Sequence, residues 1–252
     1  MDVIVLNIGS DGWELESKDG VVMNQGTAEH IKEAAAVISE YVEVIGIRCF
    51  ASLKDCALDY SEEVLQNFMK HATVPIINLE SSTLHPLQSF ADLITIETNK
   101  TKPRPKVVLT WAPHPRALPQ AVANSFIEWM KEADVELVVT HPKGYELAPK
   151  FSNGITTEYD QKKAFEGADF IYAKNWSSYT EYGQILNSDL SWCVNSDKIS
   201  VTNNAKFMHC LPVRRNVVVS DEVIDSENSI VIEQAGNRVV SIQTILQEFL
   251  KK

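Results

Sequence analysis

The sequence predicts an α/β protein of two domains, each a parallel sheet flanked by helices, with the first domain truncated. Three observations carry that expectation. Short apolar runs alternate with helical apolar patterns along the 252 residues, the sign of strands crossing over through helices. Many of the apolar runs feed polar or Pro-containing loops, where ligands collect in open α/β sheets. The chain also opens at once on an apolar run, Val3–Ile8, which reads as a buried strand. A domain rarely starts on a core strand, so a segment upstream of Met1 is expected. The length suits two modest domains, and 44% hydrophobic residues allow a proper core.

The elements follow in order. After the strand Val3–Ile8, a helix is predicted over Thr27–Glu40, a strand over Val44–Arg48, a helix over Ser61–His71 and a strand over Pro75–Asn78. The helix Leu87–Thr98 then runs into Thr101-Lys102-Pro103-Arg104-Pro105, a plausible domain junction. Beyond it, strands are expected at Lys106–Thr110, Glu136–Thr140, Phe170–Ala173, Lys206–Met208 and Ser229–Ile232. Helices are expected at Ala121–Lys131, Asp160–Glu166 and Ser241–Leu250. No internal repeat is visible, and no GxGxxG supports a dinucleotide fold of the usual kind.

Composition narrows the partners. A net charge of −11 argues against nucleic acid or an anionic membrane. It leaves room for a small anionic substrate, because a local Arg cluster can dominate a pocket. The four cysteines are widely spread with no CxxC pair and read as reduced thiols in a cytosolic protein. The N-terminus has no basic n-region, and no stretch approaches the ~20 apolar residues of a membrane helix.

Four groups of residues could carry chemistry. His85-Pro86-Leu87-Gln88 puts Pro at a helix start, and the three-residue spacing of His85 and Gln88 lets both face one point at the positive N-terminal end. The alternative is a capped helix with two incidental polar residues. Arg48 ends a strand and could fork an anion; taken alone it reads better as a surface Arg. In His209-Cys210-Leu211-Pro212, adjacent strand residues point to opposite faces. His209 is therefore not expected to act as base for Cys210, and a substrate-contacting or structural Cys is preferred to a nucleophile. In Glu233-Gln234-Ala235-Gly236-Asn237-Arg238, Asn237 could cap the last helix and Arg238 could point into a cleft.

Taken in order, His85-Pro86-Leu87-Gln88 with Ala91-Asp92-Leu93, Ala121-Val122-Ala123-Asn124-Ser125, Pro142-Lys143-Gly144-Tyr145-Glu146, Gly167-Ala168-Asp169, His209-Cys210-Leu211-Pro212 and Asn237-Arg238 resemble the ornithine/aspartate transcarbamylases. The match spans nearly the whole chain. The resemblance implies the transcarbamylase fold. The expected division is a partial carbamoyl-phosphate-binding domain over residues 1–86, completed by a helix at 239–252, and an amino-acid-binding domain over 87–238. It implies that Trp13, Arg48, His85, Gln88, Leu211 and Arg238 hold carbamoyl phosphate. His85, Arg48, Cys210 and Arg238 would be catalytic, with His85 and the arginines polarising the carbamoyl oxygen. No cofactor, no metal and no covalent enzyme intermediate are implied; the work is positioning and charge stabilisation. The attacking δ-amine must be neutral, so the rate should rise with pH until it is free.

Two departures from the family pattern matter. The Ser-x-Arg-Thr-Arg phosphate loop is absent and belongs in a stretch of roughly 60 residues ahead of Met1. The Asp-x-Trp-x-Ser-Met-Gly motif is replaced by Lys174-Asn175-Trp176-Ser177-Ser178-Tyr179. A Lys where an Asp would meet an α-ammonium suits an acceptor without that ammonium, an N-acylornithine; the alternative is a surface Lys. The run Trp111–Gln120, with His114 toward the acceptor, resembles the N-acetyl- and N-succinylornithine transcarbamylases. The implied acceptor set is Ala28, Glu80, His114, Lys174 and Cys210. An uncharged Ala28, where the acetyl type carries an acid, leaves room for a succinyl tail. Trp13, in the loop Asp11-Gly12-Trp13-Glu14, would reach a neighbouring subunit's site in a cytoplasmic homotrimer. The leading expectation is carbamoyl transfer to N-succinylornithine in arginine biosynthesis. The alternatives are transfer to N-acetylornithine, a non-catalytic homologue lacking the phosphate loop and, more remotely, a thiol hydrolase built on Cys210.

Overall fold

The computed structural model describes residues 2–9 and 13–251; Asp11 and Gly12, part of the loop singled out with Trp13, lie outside them. The first half begins with a short parallel pair, β1 (Leu15–Glu16) and β2 (Glu29–His30), and runs into helix α1 (Ile31–Ser39). A second parallel pair follows, β3 (Ile45–Arg48) and β4 (Ile76–Glu80), with α2 (Cys56–Ser61) and α3 (Glu63–His71) between them. Ile31, Ala35, Ile45, Ile47, Leu65 and Phe68 bury together as the core of this half. Helix α4 (Pro86–Asn99) leads out of it.

The second half is a five-stranded parallel sheet in the order β7-β6-β5-β8-β9. Its strands are β5 (Lys106–Trp111), β6 (Glu136–Thr140), β7 (Thr156–Glu158), β8 (Phe170–Lys174) and β9 (Lys206–Met208). Both faces are covered, which is why β5 and β8 read as unbroken apolar runs rather than alternating ones. Val107, Leu109 and Trp111 point to one face and pack with Phe126, Ile127 and Met130 of α5 (Ala121–Glu132). Val108 points to the other and packs with Ala164 and Phe165 of α7 (Gln161–Phe165). Short helices α6 (Pro149–Ser152), α8 (Ser196–Ile199) and α9 (Asp221–Ile224) lie in the connections. The long α10 (Val231–Leu250) then runs antiparallel to α4. Asn99 meets Glu233, Asn237 meets Thr95, and the Ser241 hydroxyl donates to the Leu87 carbonyl at 2.8 Å. Among the described residues no helix is long and apolar enough to cross a membrane.

Several sequence expectations need correction. Val3–Ile8 is not a buried strand. Among the described residues it has no ladder partner, and Val3, Ile4 and Val5 are 73%, 65% and 76% exposed. An apolar run becomes a strand only where another strand offers hydrogen bonds. The Thr27–Glu40 helix starts at Ile31, because Glu29 and His30 pair with β1 and the His30 ring caps the Lys32 N–H. The expected strand Ser229–Ile232 is one bridge from Ser229 to Phe207, after which α10 begins. Gln234 and Ser241 on α10 are fully buried while Ile232 is 75% exposed, so a helical period overrides the β-branched Val231-Ile232. Asn237 is thus an interior helix residue that donates to Thr95 Oγ1, not a cap. The sequence reading also missed β7 and α2, both too short to show a period.

One close approach joins the two halves. Asp59 on α2 accepts from the Ser52 and Leu53 amides (both 2.9 Å) and from the Tyr182 hydroxyl (2.8 Å). Next to Tyr182, Gly183 has φ +72°, and a Cβ there would collide with the Leu53 carbonyl. Gly183→Ala should therefore lower stability by about 1–3 kcal/mol, measured by urea unfolding. An unchanged midpoint would show that the two loops are not held together.

Candidate active site

The helix N-terminus that carries His85 is fixed from below by one carboxylate. Glu62, at φ +53°, accepts from the Ser81 hydroxyl (2.8 Å), the Ser82 amide (3.2 Å), the Thr83 amide (2.7 Å) and the Thr83 hydroxyl (2.6 Å). The Asn124 side chain of α5 donates to the Thr83 carbonyl at 3.1 Å. This anchored loop delivers His85 to the N-cap of α4, Pro86 to its first turn, and Gln88 one turn in.

Register does the same for the neighbouring strands. Arg48 and Glu80 end the paired strands β3 and β4 and face each other across the ladder. Their side chains form an ion pair at 2.7 Å, the Arg48 guanidinium lies 4.6 Å over the Phe50 ring, and His85 Nε2 stands 3.6 Å from Glu80 Oε2. Burial, then the charges of Arg238, Arg48 and Lys174, push the His85 imidazole down to about 3. His85 is therefore neutral at any working pH, and its buried Nδ1 has no partner among the described residues. A neutral ring inside a cationic field can donate an N–H to a carbonyl oxygen without first losing a proton.

The second sheet supplies the other wall. Lys174 ends β8, and its charge bears on His85, His114 and His209. Burial first, then Lys174 and His114, push His209 down to about 3. His209 Nδ1 accepts the Leu211 amide at 2.9 Å. His209 and Cys210 lie just past the end of β9, so the alternation expected of strand neighbours does not apply to them, and His209 Nδ1 is taken up by the turn. Leu211 itself adopts φ +48°, a strained setting of the kind held in place at sites. His114 Nε2 accepts from Arg214 Nε (3.1 Å), and its Nδ1 faces both backbone groups of Arg116, the carbonyl at 2.9 Å and the amide at 3.1 Å.

Below these groups lies a buried polar knot. Asp92 Oδ1 accepts from Gln88 Nε2 (2.8 Å) and from Gln234 Nε2 (2.7 Å), and Gln234 Oε1 accepts the His209 amide at 2.8 Å. Burial pushes the Asp92 carboxyl up to about 7. Its Oδ2 and the hydroxyl of Tyr172 have no partner among the described residues. Burial raises the Tyr172 phenol well above its ordinary value, with Asp92 and Cys210 adding to the effect.

The predicted residues thus divide. Arg48, Glu80, His85, Lys174 and Arg238 share one electrostatic neighbourhood, and Gln88, Cys210 and Leu211 border it through the Asp92 knot. His114 joins this neighbourhood through the charge of Lys174. Trp13 donates to Glu29 at 2.9 Å and lies with Arg48 along a cleft of about 820 Å³ whose lining excludes His85, Lys174 and Arg238. Ala28 is exposed beside it, with its amide bonded to the Glu14 carbonyl. Sequence reasoning gave no role to Asp92, Gln234, Glu62 or Arg214. Asp92 was within reach, one turn beyond Gln88 on the same helix face; Gln234 and Glu62 act across long chain separations. Among the described residues no group of three or more His, Cys, Asp and Glu side chains could hold a metal ion.

Comparisons with known proteins give the family. The family model for the aspartate/ornithine carbamoyltransferase carbamoyl-P binding domain matches residues 2–98, and that for the Asp/Orn binding domain matches residues 119–249. An N-succinylornithine carbamoyltransferase of Bacteroides fragilis is 55% identical over 100% of this chain, which covers 80% of that relative. An N-acetylornithine carbamoyltransferase of Xanthomonas campestris is 35% identical over 94% of this chain and 76% of its own length. A solved mutant of N-acetyl-L-ornithine transcarbamylase, complexed with carbamyl phosphate and N-succinyl-L-norvaline, superposes with a TM-score of 0.92. It is 34% identical, covering 98% of this chain and 80% of that one.

The depressed histidines make a direct prediction. In imidazole-labelled protein, the NMR signals of His85 and His209 should stay put between pH 5 and 8, because both rings hold no second proton until near pH 3. A titration of either ring in that window would contradict the buried cationic setting. Carrying two neutral rings also costs acid stability: each contributes stability that is full above the ordinary His value near 6.5 and declines as pH falls below it.

Proposed function

This chain belongs to the aspartate/ornithine carbamoyltransferase family, and we propose that it moves the carbamoyl group of carbamoyl phosphate to the δ-amine of N-succinyl-L-ornithine. The products are N-succinyl-L-citrulline and phosphate. The observation that carries the acceptor choice is Lys174, whose charge bears on His85, His114 and His209 together. A cation at that point favours a carboxylate-bearing acceptor and opposes an α-ammonium. The 55% identity to an N-succinylornithine carbamoyltransferase supports the same reading.

The chemistry follows from the groups present. The phosphate of the donor competes with Glu80 for the Arg48 guanidinium, with Arg238 adding a second cation. The neutral His85 donates to the carbamoyl oxygen, and the arginines offset the negative charge that grows there as the amine attacks. Gln88 Oε1 and the Leu211 carbonyl accept the two carbamoyl N–H groups, and Cys210 borders the path of the amine. Glu80, freed from Arg48, and His114 face the acceptor. The δ-amine attacks the carbonyl carbon, the C–O bond to phosphate breaks, and the departing phosphate oxygen takes up the proton that the amine nitrogen gives up.

The same reading carries a cytoplasmic homotrimer. The placing of Trp13 along a cleft apart from His85, Lys174 and Arg238 supports a role at a neighbouring subunit's site. We keep residues 1–86 with 239–252 as the carbamoyl-phosphate-binding unit and 87–238 as the acceptor unit. The packing of α10 on α4, whose first turn carries His85 and Gln88, supports a C-terminal helix that serves the donor site. The second reading, transfer to N-acetylornithine, has the support of the relatives at 35% identity.

The test is carbamoyl transfer to N-succinylornithine, N-acetylornithine and ornithine in parallel, by the 252-residue chain and by an upstream-extended form carrying a Ser-x-Arg-Thr-Arg segment. N-succinylornithine should lead by at least about tenfold, and Ala28→Glu should shift preference toward N-acetylornithine by about the same factor, the size of one carboxylate–carboxylate repulsion near a surface. Transfer to none of the three by either form would favour a non-catalytic homologue. An unchanged preference in Ala28→Glu would remove that residue from the acceptor set.

A further inference from the structure

A fully buried carboxylate needs a reason. Asp92 has no accessible surface and, among the described residues, no ion-paired cation, the charge of Arg238 being a minor influence on it, and a carboxylate so placed costs stability that a neutral residue would spare. Its bonds suggest what is gained. One oxygen, Oδ1, accepts from the amide nitrogens of both Gln88 and Gln234. A carboxamide has two ends of nearly equal shape, and only its hydrogen bonds decide which way it lies. Because Asp92 presents an acceptor, Gln88 must give it the N–H2 end and turn Oε1 the other way. Gln234 is turned likewise, and its Oε1 then accepts the His209 amide at 2.8 Å. His209 in turn accepts the Leu211 amide through Nδ1 at 2.9 Å.

Both branches end on an acceptor oxygen. One is Gln88 Oε1; the other is the carbonyl of Leu211, fixed by the turn that His209 braces. A carbamoyl NH2 offers two donors and, with its lone pair delocalised, no acceptor. Two oriented acceptors match it; a flipped Gln88 would face it with N–H against N–H. We propose that Asp92 is a positioning residue for carbamoyl transfer, setting through Gln88 and Gln234 the two acceptors that hold the carbamoyl NH2. The inference rests on the carbamoyl-transfer reading above and deepens it. Asp92 touches no reacting atom. It acts on the donor's carbamoyl end and leaves the phosphate end to Arg48 and Arg238.

That division gives the experiment. In the upstream-extended protein, KM for carbamoyl phosphate and the inhibition constant of inorganic phosphate are measured for wild type, Asp92→Leu and Asp92→Asn. Asp92→Leu should raise KM for carbamoyl phosphate, or lower kcat, by about tenfold or more, while phosphate inhibition stays within about threefold. Asp92→Asn keeps an acceptor oxygen and should restore most of the loss. Equal weakening of carbamoyl phosphate and phosphate, or no recovery in Asp92→Asn, would overturn the proposal, since general damage to the fold affects both ligands alike. Should Asp92→Leu fail to fold, Gln234→Met decides. It frees only the Leu211 branch, and a rise of about threefold or more in KM for carbamoyl phosphate alone supports the role, whereas no change overturns it. Failure of the underlying reading looks different: wild type itself would then transfer to no acceptor.

Discussion

Parallel pairing is the constraint on which the site depends. In a parallel sheet all strands deliver their carboxyl ends to one side, and that is where this chain keeps its chemistry. Arg48 and Glu80 meet because the β3–β4 ladder shifts register between Ile47 and Arg48, which sets the last residues of the two strands opposite each other. Lys174 is the last residue of β8, and His209, Cys210 and Leu211 follow the last residue of β9. A one-residue slip in either ladder would turn these side chains to the other face. The apolar clusters that fill both faces of the second sheet thus hold the register and, through it, the geometry of the polar edge.

Electrostatics at that edge oppose the chain as a whole. The protein carries −11 overall, yet Arg48, Lys174 and Arg238 act together on His85. Burial first, and then the three cations, hold one imidazole in its neutral state despite the acidic surface. The outcome is a histidine held neutral, with one nitrogen unpartnered, in surroundings already arranged for negative charge. Such a site needs little reorganisation as charge develops on a bound oxygen.

How much of this was legible beforehand varies with the range of the interaction. The second sheet was, almost strand for strand, because a strand buried on both faces writes a continuous apolar run. The N-terminal run was misread for the same reason: Val3–Ile8 has the composition of such a strand, but composition does not supply a hydrogen-bonding neighbour. The start of α10 was missed because Val231 and Ile232 mimic a strand locally, and only the bonds that Glu233, Gln234, Asn237 and Ser241 make to α4 reveal the helix. Within the site, residues at strand ends and in the His85 turn could be named from position. The groups that orient them could not. Gln234 reaches Asp92 across 142 residues and Glu62 reaches Thr83 across 21, and no local pattern announces such pairs.

Glu62 illustrates a wider point about substitution. Its backbone sits at φ +53°, a conformation in which glycine is ordinarily the most comfortable residue. Its carboxylate, however, accepts four hydrogen bonds from the loop ahead of His85. At this position backbone preference and side-chain need pull in opposite directions. A glycine would relax the chain locally and unfasten the loop that holds the helix terminus carrying His85. A stabilising-mutation survey guided by backbone angles alone would count Glu62 with Leu53, Asn204, Leu211 and Asn216 among its candidates, and would there loosen the turn it set out to relax.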